Sequence, residues 1–418
     1  GEDAGSGDRL ILAVTLYEYE NLYTLGIGSD SIISKSQPSL ESMDIYSAQV
    51  GFTKSLKLHQ FAFGAKYVYA DIGYNSRLNL GNTTLAGVLS EDIDQRDDFK
   101  YFEKRLAVYG MYKYTSQLWE VQVGLRNEYT EWETRQRVKN QLYTKRNDNI
   151  LFPSFFVSRE MGEGNSLSLS YTQSINRPLY QMVNPFVFHL SETSYKEGNP
   201  DLKGELLYNA GLQFMLKSKY IFSLSALFID RKINEIYEQI GEYQTRYMLR
   251  NNGTTKRLTL YMGIPFTWGI WNCRNNVELS QSWYQNSANC VNDFGVVLSS
   301  YNRIRLSKQL TAMSNLRYVR HYKQLFLIQK TDYIGVDVEG DYNCCKNRVN
   351  VNFGVKDLLN CRGKNKQIFR NGDFEHHSEF DFLSRKFFVS VTFNFSVGAK
   401  RAIRHNKEFS NEEDKERM

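Results

Sequence analysis

Apolar and polar side chains alternate along this chain over stretches that are too long for an ordinary globular strand. In residues 387–398 every second residue is Phe or Val, and residues 206–217 and 166–175 alternate in the same way. Successive side chains of a strand point to opposite faces. A tilted strand needs about 10 residues to cross a bilayer, whereas strands of soluble proteins average about 5–6. The alternation therefore predicts an all-β chain with long strands.

The composition of the two faces distinguishes a membrane barrel from a soluble sandwich, which would alternate as well. The polar face carries Gly, Ser, Asn, Gln, Lys and Arg, and the apolar face often has Tyr or Phe near its ends. These features are typical of a wet lumen and of interfacial aromatic girdles. A helical membrane protein is excluded because no run approaches about 18 apolar residues. We therefore predict a transmembrane antiparallel up-and-down β-barrel.

Turn lengths give the strand count and the sidedness. Short turns are predicted at residues 55–57, 115–117, 161–165, 217–219, 268–272, 308–309 and 343–347. Longer polar loops are predicted at 21–44, 73–98, 132–148, 176–204, 231–252, 286–293 and 357–376, and the link near 321–324 is a short exception. Seven hairpins, a first strand at 9–19 and a last strand at 385–397 make 16 strands.

Outer-membrane barrels have short periplasmic turns and long extracellular loops. An even strand count then predicts that both termini are periplasmic. Along the chain we predict a disordered stretch at 1–8, an outer-membrane β-barrel at 9–397 and a charged periplasmic tail at 398–418.

The charged, histidine and cysteine residues favour neither nucleic-acid binding nor catalysis. The net charge is only +6 and is spread along the chain, unlike the basic face of a nucleic-acid binder. We read Glu128, Glu131 and Glu133 as solvated charge near a loop, and His376-His377 as surface residues. Five cysteines are no disulfide framework, and we expect them to be free or only incidentally paired, with a bond from one of the adjacent pair at 344–345 to the cysteine at 361 as the alternative. We predict no enzyme, no metal site and no cofactor.

One segment between residues 174 and 205 is rich in turn-forming residues at distinctive spacing. Asn and Gly next to Pro are turn formers, and a residue before Pro is held extended. The segment is therefore predicted to shape one extracellular loop where it returns into the barrel, with direct ligand contact by Phe186, Phe188, His189 and Tyr195 as the alternative. The motif residues are Arg177, Pro178, Tyr180, Asn184, Pro185, Phe186, Gly198, Asn199, Pro200, Asp201, Leu202 and Glu205.

This motif resembles a hallmark of TonB-dependent receptor-like outer-membrane barrels of the Bacteroidetes type. That family shows Arg-Pro-x-Tyr, then Asn-Pro-Phe, then Gly-Asn-Pro-x-Leu-x-x-Glu, and only the usual Pro before the Glu departs, being Gly204 here. Supporting matches are Gly-Leu-Arg-Asn-Glu at 124–128, Leu-Phe-Pro-Ser at 151–154 and Val-Lys-Asp-Leu-Leu-Asn at 355–360. The resemblance covers about residues 45–418.

The resemblance implies a 22-stranded barrel with an N-terminal plug that contacts TonB, and neither the plug nor six of the strands is found in this sequence. Either the chain is the C-terminal part of a longer receptor, or it is a plugless barrel with fewer strands. An open sheet edge in lipid costs several kcal/mol per unpaired backbone group. The first reading therefore requires a second polypeptide or the rest of the chain, with a plug domain or the remaining barrel strands on another chain as possible partners. The second requires strand 9–19 to pair with strand 385–397.

Three function classes remain open. The first is uptake of a large nutrient such as an oligosaccharide, peptide or chelate, with TonB acting through a plug and a surface lipoprotein as a further partner. The second is a passive porin-like channel, and the third is a membrane anchor or scaffold for surface lipoproteins. Outer-membrane lipid surrounds the barrel in each case. The substrate-binding residues are not identified, although Trp132, Tyr237, Tyr243 and Tyr247 are plausible loop contacts.

Overall fold

The computed structural model describes residues 9–29, 32–80, 95–136, 141–185, 187–189, 194–240, 244–286, 289–324, 327–329, 331–344, 348–371 and 374–393. The predicted N-terminal stretch 1–8 and tail 398–418 lie outside them. The elements are β1 (Arg9–Ser29), β2 (Ile32–Leu56), β3 (His59–Leu80), β4 (Gln95–Thr115), β5 (Trp119–Gln136), β6 (Gln141–Glu160), β7 (Ser166–Asn176), α1 (Tyr180–Val183), β8 (Val187–His189), β9 (Ser194–Glu197), β10 (Glu205–Leu216), β11 (Tyr220–Asp230), β12 (Ile233–Ile240), β13 (Gln244–Asn251), β14 (Thr254–Trp268), β15 (Trp271–Gln285), β16 (Cys290–Arg305), β17 (Leu310–Val319), β18 (Leu327–Gln329), β19 (Tyr333–Cys344), β20 (Val349–Lys356), β21 (Lys364–Asn371), β22 (Phe374–Asp381) and β23 (Lys386–Phe393). In this part of the chain no helix is long and apolar enough to cross a membrane.

Sixteen strands form one antiparallel sheet in which neighbours in sequence are neighbours in space. Their order is β1-β2-β3-β4-β5-β6-β7-β10-β11-β14-β15-β16-β17-β19-β20-β23. The predicted all-β class, the up-and-down order and the count of 16 strands are confirmed. Within the described residues β1 and β23 are the two edges of this sheet, and no pairing joins them.

The register assigns different chemistry to the two faces of the sheet. One row across six strands runs Leu169, Leu212, Leu224, Leu260, Leu279 and Val296. The next row, on the opposite face, runs Ser170, Gly211, Ser225, Thr259, Ser280 and Gly295. Large apolar side chains of the first face are exposed on strands all around the sheet. We call this lipid-suited face the outer face and the polar one the inner face.

Turns of a few residues join the strands at one end of the sheet, at six of the seven predicted places, and the seventh, at 343–347, lies mostly outside the described residues. Several of them use left-handed backbone, for example at Lys57, Lys217 and Gly269. Such conformations match the right-handed twist of the two strands that a tight hairpin connects. At the other end three strand pairs, β1–β2, β5–β6 and β15–β16, are also joined by no more than four residues, and the remaining connections are longer or contain further strands.

Several of the predicted loops are wrong because the strands continue through them. Residues 21–44 are mostly strand, since β1 and β2 pair from Arg9↔Thr53 to Ser29↔Ile32. Likewise β5 and β6 pair as far as Gln136↔Gln141 within the predicted loop 132–148. The ladder is made by backbone groups, so polar side chains do not end it outside a bilayer. The boundary between strand and loop was therefore set too early from polarity.

Other connections form two small sheets at the same end of the molecule. One has the order β12-β13-β9-β8, with β13 and β9 parallel, and the other the order β18-β21-β22. The link near 321–324, predicted as short, is wrong in length because it extends from Arg320 to Asp332 and contains β18. Its backbone bridge Lys323↔Ile328 folds it back on itself.

The main apolar core lies against the inner face of only three strands. The buried residues there are Met43 and Ile45 of β2, Val68, Ala70, Ile72 and Tyr74 of β3, and Phe99 and Tyr101 of β4. They are covered by Tyr180, Val183, Leu202 and Leu249, which come from the connections after β7 and β11. The sheet must curl for those connections to reach β2, so this packing requires a curved sheet.

Candidate functional site

The motif segment folds inward. We call residues 177–205 the inward loop. Its short helix α1 places Tyr180 and Val183, 3% and 4% exposed, on the apolar core of β2 to β4. The Tyr180 ring lies 5.3 Å from the Tyr101 ring, centroid to centroid. Tyr101 in turn donates a hydrogen bond of 2.6 Å to Glu103. The sequence predicts that the motif shapes the loop where it returns into the barrel. That prediction does not include the packing of the loop on the opposite strands, β2 to β4.

A buried ion pair fixes the start of the inward loop to β5. Arg177 pairs with Glu128, and these side chains are only 7% and 2% exposed. Arg126 pairs with the other oxygen of the same carboxylate, and the Thr130 hydroxyl approaches it at 3.4 Å. Glu128 is thus buried in a strand, and its interpretation as solvated loop charge is wrong. The cause is that its side chain faces inward, beneath the loop.

A second charged pair lies beside the first. Arg105 and Glu103 of β4 are 3.7 Å apart and 3% and 2% exposed. Charges are strongly disfavoured in such surroundings unless opposite charges or hydrogen bonds compensate them. The inner face of β4 and β5 therefore carries a compensated network, not a row of independent titrating groups.

The middle of the inward loop is a close crossing of two backbones. A Cβ on Gly198 would lie 1.9 Å from the carbonyl oxygen of Asn184, so only glycine is accommodated. Next to it, the Asn199 N–H donates to the Met182 carbonyl at 2.7 Å, and Nδ2 of Asn199 donates to the Leu249 carbonyl at 2.9 Å. These bonds explain why glycine is followed by asparagine at this place in the motif.

Asp201 joins the inward loop to the upper part of β6. Its carboxylate accepts a bond of 2.9 Å from the Thr144 hydroxyl and pairs with Arg146. Nη1 of Arg146 also donates to the Asp201 carbonyl oxygen at 3.0 Å. The Asp201 N–H in turn donates to Oδ1 of Asn199 at 2.9 Å. The motif aspartate is therefore a cross-link between the loop and the barrel wall.

Glu205 closes the inward loop and is 3% exposed. Its carboxylate accepts bonds from Nδ2 of Asn176 at 2.9 Å, Nζ of Lys232 at 2.8 Å and the Ile233 N–H at 2.7 Å. These donors lie at the end of β7 and at the start of β12. One carboxylate thus fixes where two strands and the next outer sheet meet.

The other predicted motif residues are placed as follows. Pro178 lines the space between the loop and β5, and Asn184 and Leu202 are 2% and 3% exposed. Pro185 and Pro200 are half-buried in the loop. Phe186 lies outside the described residues, and so do the side chains of Phe188 and His189. Tyr195 is half-buried on β9.

The enclosed space under the inward loop is too small for a nutrient. A cavity of about 30 Å³ lies between Tyr101, Glu128, Arg177 and Leu202. This volume corresponds to roughly one water molecule. Beside this cavity lies a larger, open space of about 370 Å³, whose lining includes Arg126, Glu128, Phe152 and Arg177.

A second anchored turn follows β20, within the Val-Lys-Asp-Leu-Leu-Asn motif. Asp357 is fully buried, has a left-handed φ of 52°, and donates its N–H to Asp337 at 2.8 Å. Its carboxylate accepts the N–H groups of Cys361 at 3.1 Å and Arg362 at 2.9 Å, and also the hydroxyl of Ser384. Burial alone would raise the pKa of Asp357, but these hydrogen bonds outweigh it and lower the pKa.

Aromatic residues connect the two outer sheets. Tyr237 of β12 lies 4.7 Å from the Phe369 ring of β21 and 4.7 Å from the Tyr247 ring of β13. Tyr237 is only 6% exposed, so it packs between loops, whereas a ligand contact was suggested from the sequence. Trp132 packs against the apolar core, and Tyr243 lies outside the described residues.

The partners of the motif residues are harder to predict from the sequence than the motif itself. Three charged residues occupy inward positions of β4 and β5, namely Glu103, Arg105 and Glu128. The alternation along these strands predicts that their side chains face inward, which could have indicated charge beneath a loop. Thr144, Asn176, Lys232 and Arg362 carry no local signal at all. Cys273, Cys290 and Cys361 are free thiols, which confirms the expectation for them and makes the alternative disulfide to Cys361 wrong. The described residues hold no cluster of three or more His, Cys, Asp or Glu suited to a metal.

A family model described as "outer membrane protein beta-barrel family" matches residues 16–395. The chain belongs to this family. Its membrane is therefore the outer membrane, and the exposed apolar rows of the outer face are the surface that lipid covers. A search of curated proteins gave no match.

Solved structures share the fold of this family member at low sequence identity. The siderophore receptor PiuA from Acinetobacter baumannii is 13% identical with a TM-score of 0.59, covering 94% of this chain and 62% of that one. The copper transporter OprC is 12% identical with a TM-score of 0.65, covering 92% and 64%. The ferric citrate transporter FecA, unliganded, is 10% identical with a TM-score of 0.63, covering 94% and 60%.

These three structures confirm the resemblance to TonB-dependent receptors at the level of the fold. The chain spans 60% to 64% of the length of these proteins. What they transport is a property of those proteins, and the motif residues of this chain receive no assignment from them.

Proposed function

We propose that this chain is the barrel of a TonB-dependent receptor-like protein that takes part in uptake of a large nutrient, an oligosaccharide, peptide or chelate, across the outer membrane. The observation that carries the proposal is the inward loop, which is anchored on one wall while the inner face of β7 to β16 stays polar and uncharged in its central row. Such a lumen is narrowed but not filled by the described residues. The names of the three solved relatives support uptake as the purpose of this fold.

The orientation and the partners belong to the same proposal. Short turns on one side and outer sheets on the other support periplasmic termini and extracellular loops. Two unpaired sheet edges support additional strands on polypeptide outside this sequence, because lipid does not tolerate open edges, and we propose that a plug accompanies them. TonB would act through that plug, and a surface lipoprotein would contact the outer sheets. The protein is not an enzyme in this proposal.

Within it, the motif from Arg177 to Glu205 serves as the anchor of the inward loop. Its charged and amide side chains are engaged with the wall, which supports a structural role over direct ligand contact. Contact through Tyr195 and the neighbouring aromatic residues stays the alternative.

Growth of a deletion strain tests the proposal. Strains with and without the gene are grown on ferric citrate as sole iron source, and on a hexasaccharide or a decapeptide as sole carbon or nitrogen source. We expect growth at limiting concentration to fall by about tenfold on one of them and to be restored by the intact gene, because transport would then be limiting. Inactivation of TonB should give the same loss.

Two outcomes would contradict uptake. Unchanged growth on all three sources, together with ion conductance of the purified protein in planar bilayers, would favour a passive channel. Unchanged growth without conductance, but with loss of a lipoprotein from the cell surface, would favour a scaffold.

A further inference from the structure

Four arginines on the inner face differ from the other inward arginines of the described residues. They are Arg274 on β15, Arg303 and Arg305 on β16, and Arg317 on β17, and we call them the arginine strip. All four side chains are exposed. Among the described residues no ion pair or side-chain hydrogen bond engages them.

Inward arginines elsewhere have partners. Arg105 lies 3.7 Å from Glu103, and Arg126 and Arg177 share Glu128. Arg257 on β14 donates to the Ser282 hydroxyl at 3.0 Å and to the Tyr284 hydroxyl at 3.2 Å. The lack of partners in the arginine strip is therefore a local property of this wall.

The register gathers the arginine strip around one tyrosine. Tyr301 lies directly opposite Arg274, and Arg303 follows Tyr301 by two residues on the same face. Arg317 lies opposite Ser299, which places it diagonally across from Tyr301. Diagonal neighbours on one face of a sheet are about 7–8 Å apart. Three guanidinium groups can therefore reach one small molecule above the Tyr301 ring.

No acidic residue of this wall forms an ion pair with the arginine strip in the described residues. Asp341, two strands from Arg305, instead accepts hydrogen bonds from Nδ2 of Asn343 at 2.7 Å and of Asn350 at 3.0 Å. Glu278 is four residues from Arg274 on the same strand, about 13 Å away. Glu339 is two strands from Arg303, about 10 Å away across Met313. Asp337 is paired with Arg362 through both oxygens at 2.7 Å. Internal compensation of the four charges is therefore weak.

We propose that the arginine strip is a binding site for a small multivalent anion that carries carboxylate or phosphate groups. Guanidinium groups bind such anions through pairs of parallel hydrogen bonds, and a rigid sheet holds them at fixed spacing. An anion that contacts several of them also removes their mutual repulsion. Arg274, Arg303 and Arg305 lie within four residues of the short turns at 269–270 and 306–309, and Arg317 lies eight residues from the second turn, so the site extends from the mouth on the side of those turns into the lumen.

If the anion bound by this site is the transported nutrient, the nutrient carries carboxylate or phosphate groups, and this part of the inference rests on the proposed uptake. Anion binding is measured without transport, so that a failure of the site and a failure of the uptake proposal give different results. A strain that lacks uptake but whose protein binds the anion would retain the site and reject the nutrient.

Equilibrium dialysis of the full-length purified protein against labelled citrate tests the site. The measurement is made in uncharged detergent at low ionic strength, where exposed charges are least screened. We expect the double variant Arg274→Gln/Arg303→Gln to bind citrate at least about tenfold more weakly than the wild type, because two forked donors are lost. The variant Arg303→Lys keeps the charge and should lose less.

Lys308→Gln is the matched control. Lys308 is exposed in the turn between β16 and β17 and does not belong to the inner face. Its substitution by Gln removes one positive charge at the same mouth. Citrate affinity should change by less than about twofold in this variant. A loss in Lys308→Gln equal to that in the single variant Arg303→Gln, which also removes one charge, would mean that only net charge matters and would overturn the site.

Chemical modification of the wild type gives a second measurement that needs no variant to fold. Phenylglyoxal is applied to outer-membrane vesicles, and modified arginines are identified by mass spectrometry. We expect Arg274 and Arg303 to react without added anion and to be protected by citrate, while the exposed Arg385 reacts equally in both cases. Absence of citrate binding by the wild type, or protection of both arginines before citrate is added, would overturn the proposal, the latter because a resident polypeptide would then cover them.

Discussion

The two walls of the lumen carry similar residue types in opposite states. On the wall of β4 and β5, Glu103, Arg105 and Glu128 are buried beneath the inward loop and compensate each other or Arg177. On the wall of β15 to β17, the arginine strip is exposed and has no described partner. Charged side chains that face the lumen are therefore of two kinds in this protein. Those covered by a loop are compensated by partners, and those that no loop covers are exposed to solvent.

The energetic reason is desolvation. A buried charge costs several kcal/mol unless a partner lies nearby, so charges under a loop are retained only as networks. An exposed charge is solvated by the water of the lumen and needs no partner. Stability should therefore depend strongly on the first wall and little on the second, whereas solute binding should depend on the second.

Removing Glu128 should produce the largest loss of stability. Glu128→Gln leaves Arg177 buried without its counter-charge, and such a change typically costs about 3–5 kcal/mol. The measurement is urea unfolding of the full-length protein in detergent, followed by heat-modifiable gel mobility. Glu278→Gln, a half-buried carboxylate of the other wall, is the control and should change the unfolding free energy by less than about 0.5 kcal/mol. Equal effects of the two changes would remove the distinction between the walls.

The crossing inside the inward loop should be the next most sensitive place. Gly198→Ala puts a methyl group against the carbonyl of Asn184, and overpacking of this kind costs about 1–3 kcal/mol. Because the strain is local, the loop should detach before the barrel unfolds. Trypsin added to outer-membrane vesicles should then cleave the protein after the exposed Lys196 and Lys203. In Gly110→Ala the new methyl group meets the Phe63 ring at an ordinary 3.4 Å, so the trypsin pattern should not change. Protection of Lys203 in Gly198→Ala would argue against the observed loop conformation.

The Asp357 turn lies on the side of the open wall and tests whether burial, and not position, decides. Asp357→Asn tolerates the left-handed backbone but loses acceptor strength toward Ser384, Cys361 and Arg362, for about 1–2 kcal/mol. Since the pKa of Asp357 is lowered in the folded protein, its contribution is present above the unfolded pKa of about 4 and is lost as the pH falls below it. The difference in urea midpoint between wild type and variant should therefore be clear at about pH 7 and shrink at about pH 3. A difference that grows on acidification would reverse the sign and reject the network.

The smallest effect is expected on the open wall itself. Arg303→Gln should leave the unfolding free energy within about 0.5 kcal/mol of the wild type, because an exposed side chain without partners is removed. The urea series used for Glu128→Gln measures it directly. A loss above about 2 kcal/mol would mean that Arg303 is engaged in the folded protein and is not available to a solute.

Alternation was sufficient to predict the class, order and number of the main strands. Rows such as Leu169, Leu212 and Leu224 repeat one local rule on every strand, so each strand could be recognised by itself. The ends of the strands could not be recognised in this way, because the backbone pairing of β1–β2 and β5–β6 continues where the side chains have become polar. Turn residues located the hairpins at one end, where few residues join two strands.

The motif located the site, but its contacts could not be predicted from sequence. The partners of Arg177 and Asp201 are Glu128 and Thr144, which lie about 50 residues away along the chain. No local pattern joins such positions, since they meet only after the sheet has curled. The same holds for Asp357 and Ser384, which are separated by the strands β21 and β22.

A double-mutant cycle between Glu128 and Arg177 tests the central claim most directly, namely that the motif segment is held inside the barrel against β5. Glu128→Gln, Arg177→Gln and the double variant are compared with the wild type by urea unfolding in detergent. The structure predicts a coupling energy of at least about 1.5 kcal/mol, since contacting charges in one network are not additive. Additive effects within about 0.3 kcal/mol would show that the two side chains do not meet and would contradict the inward loop.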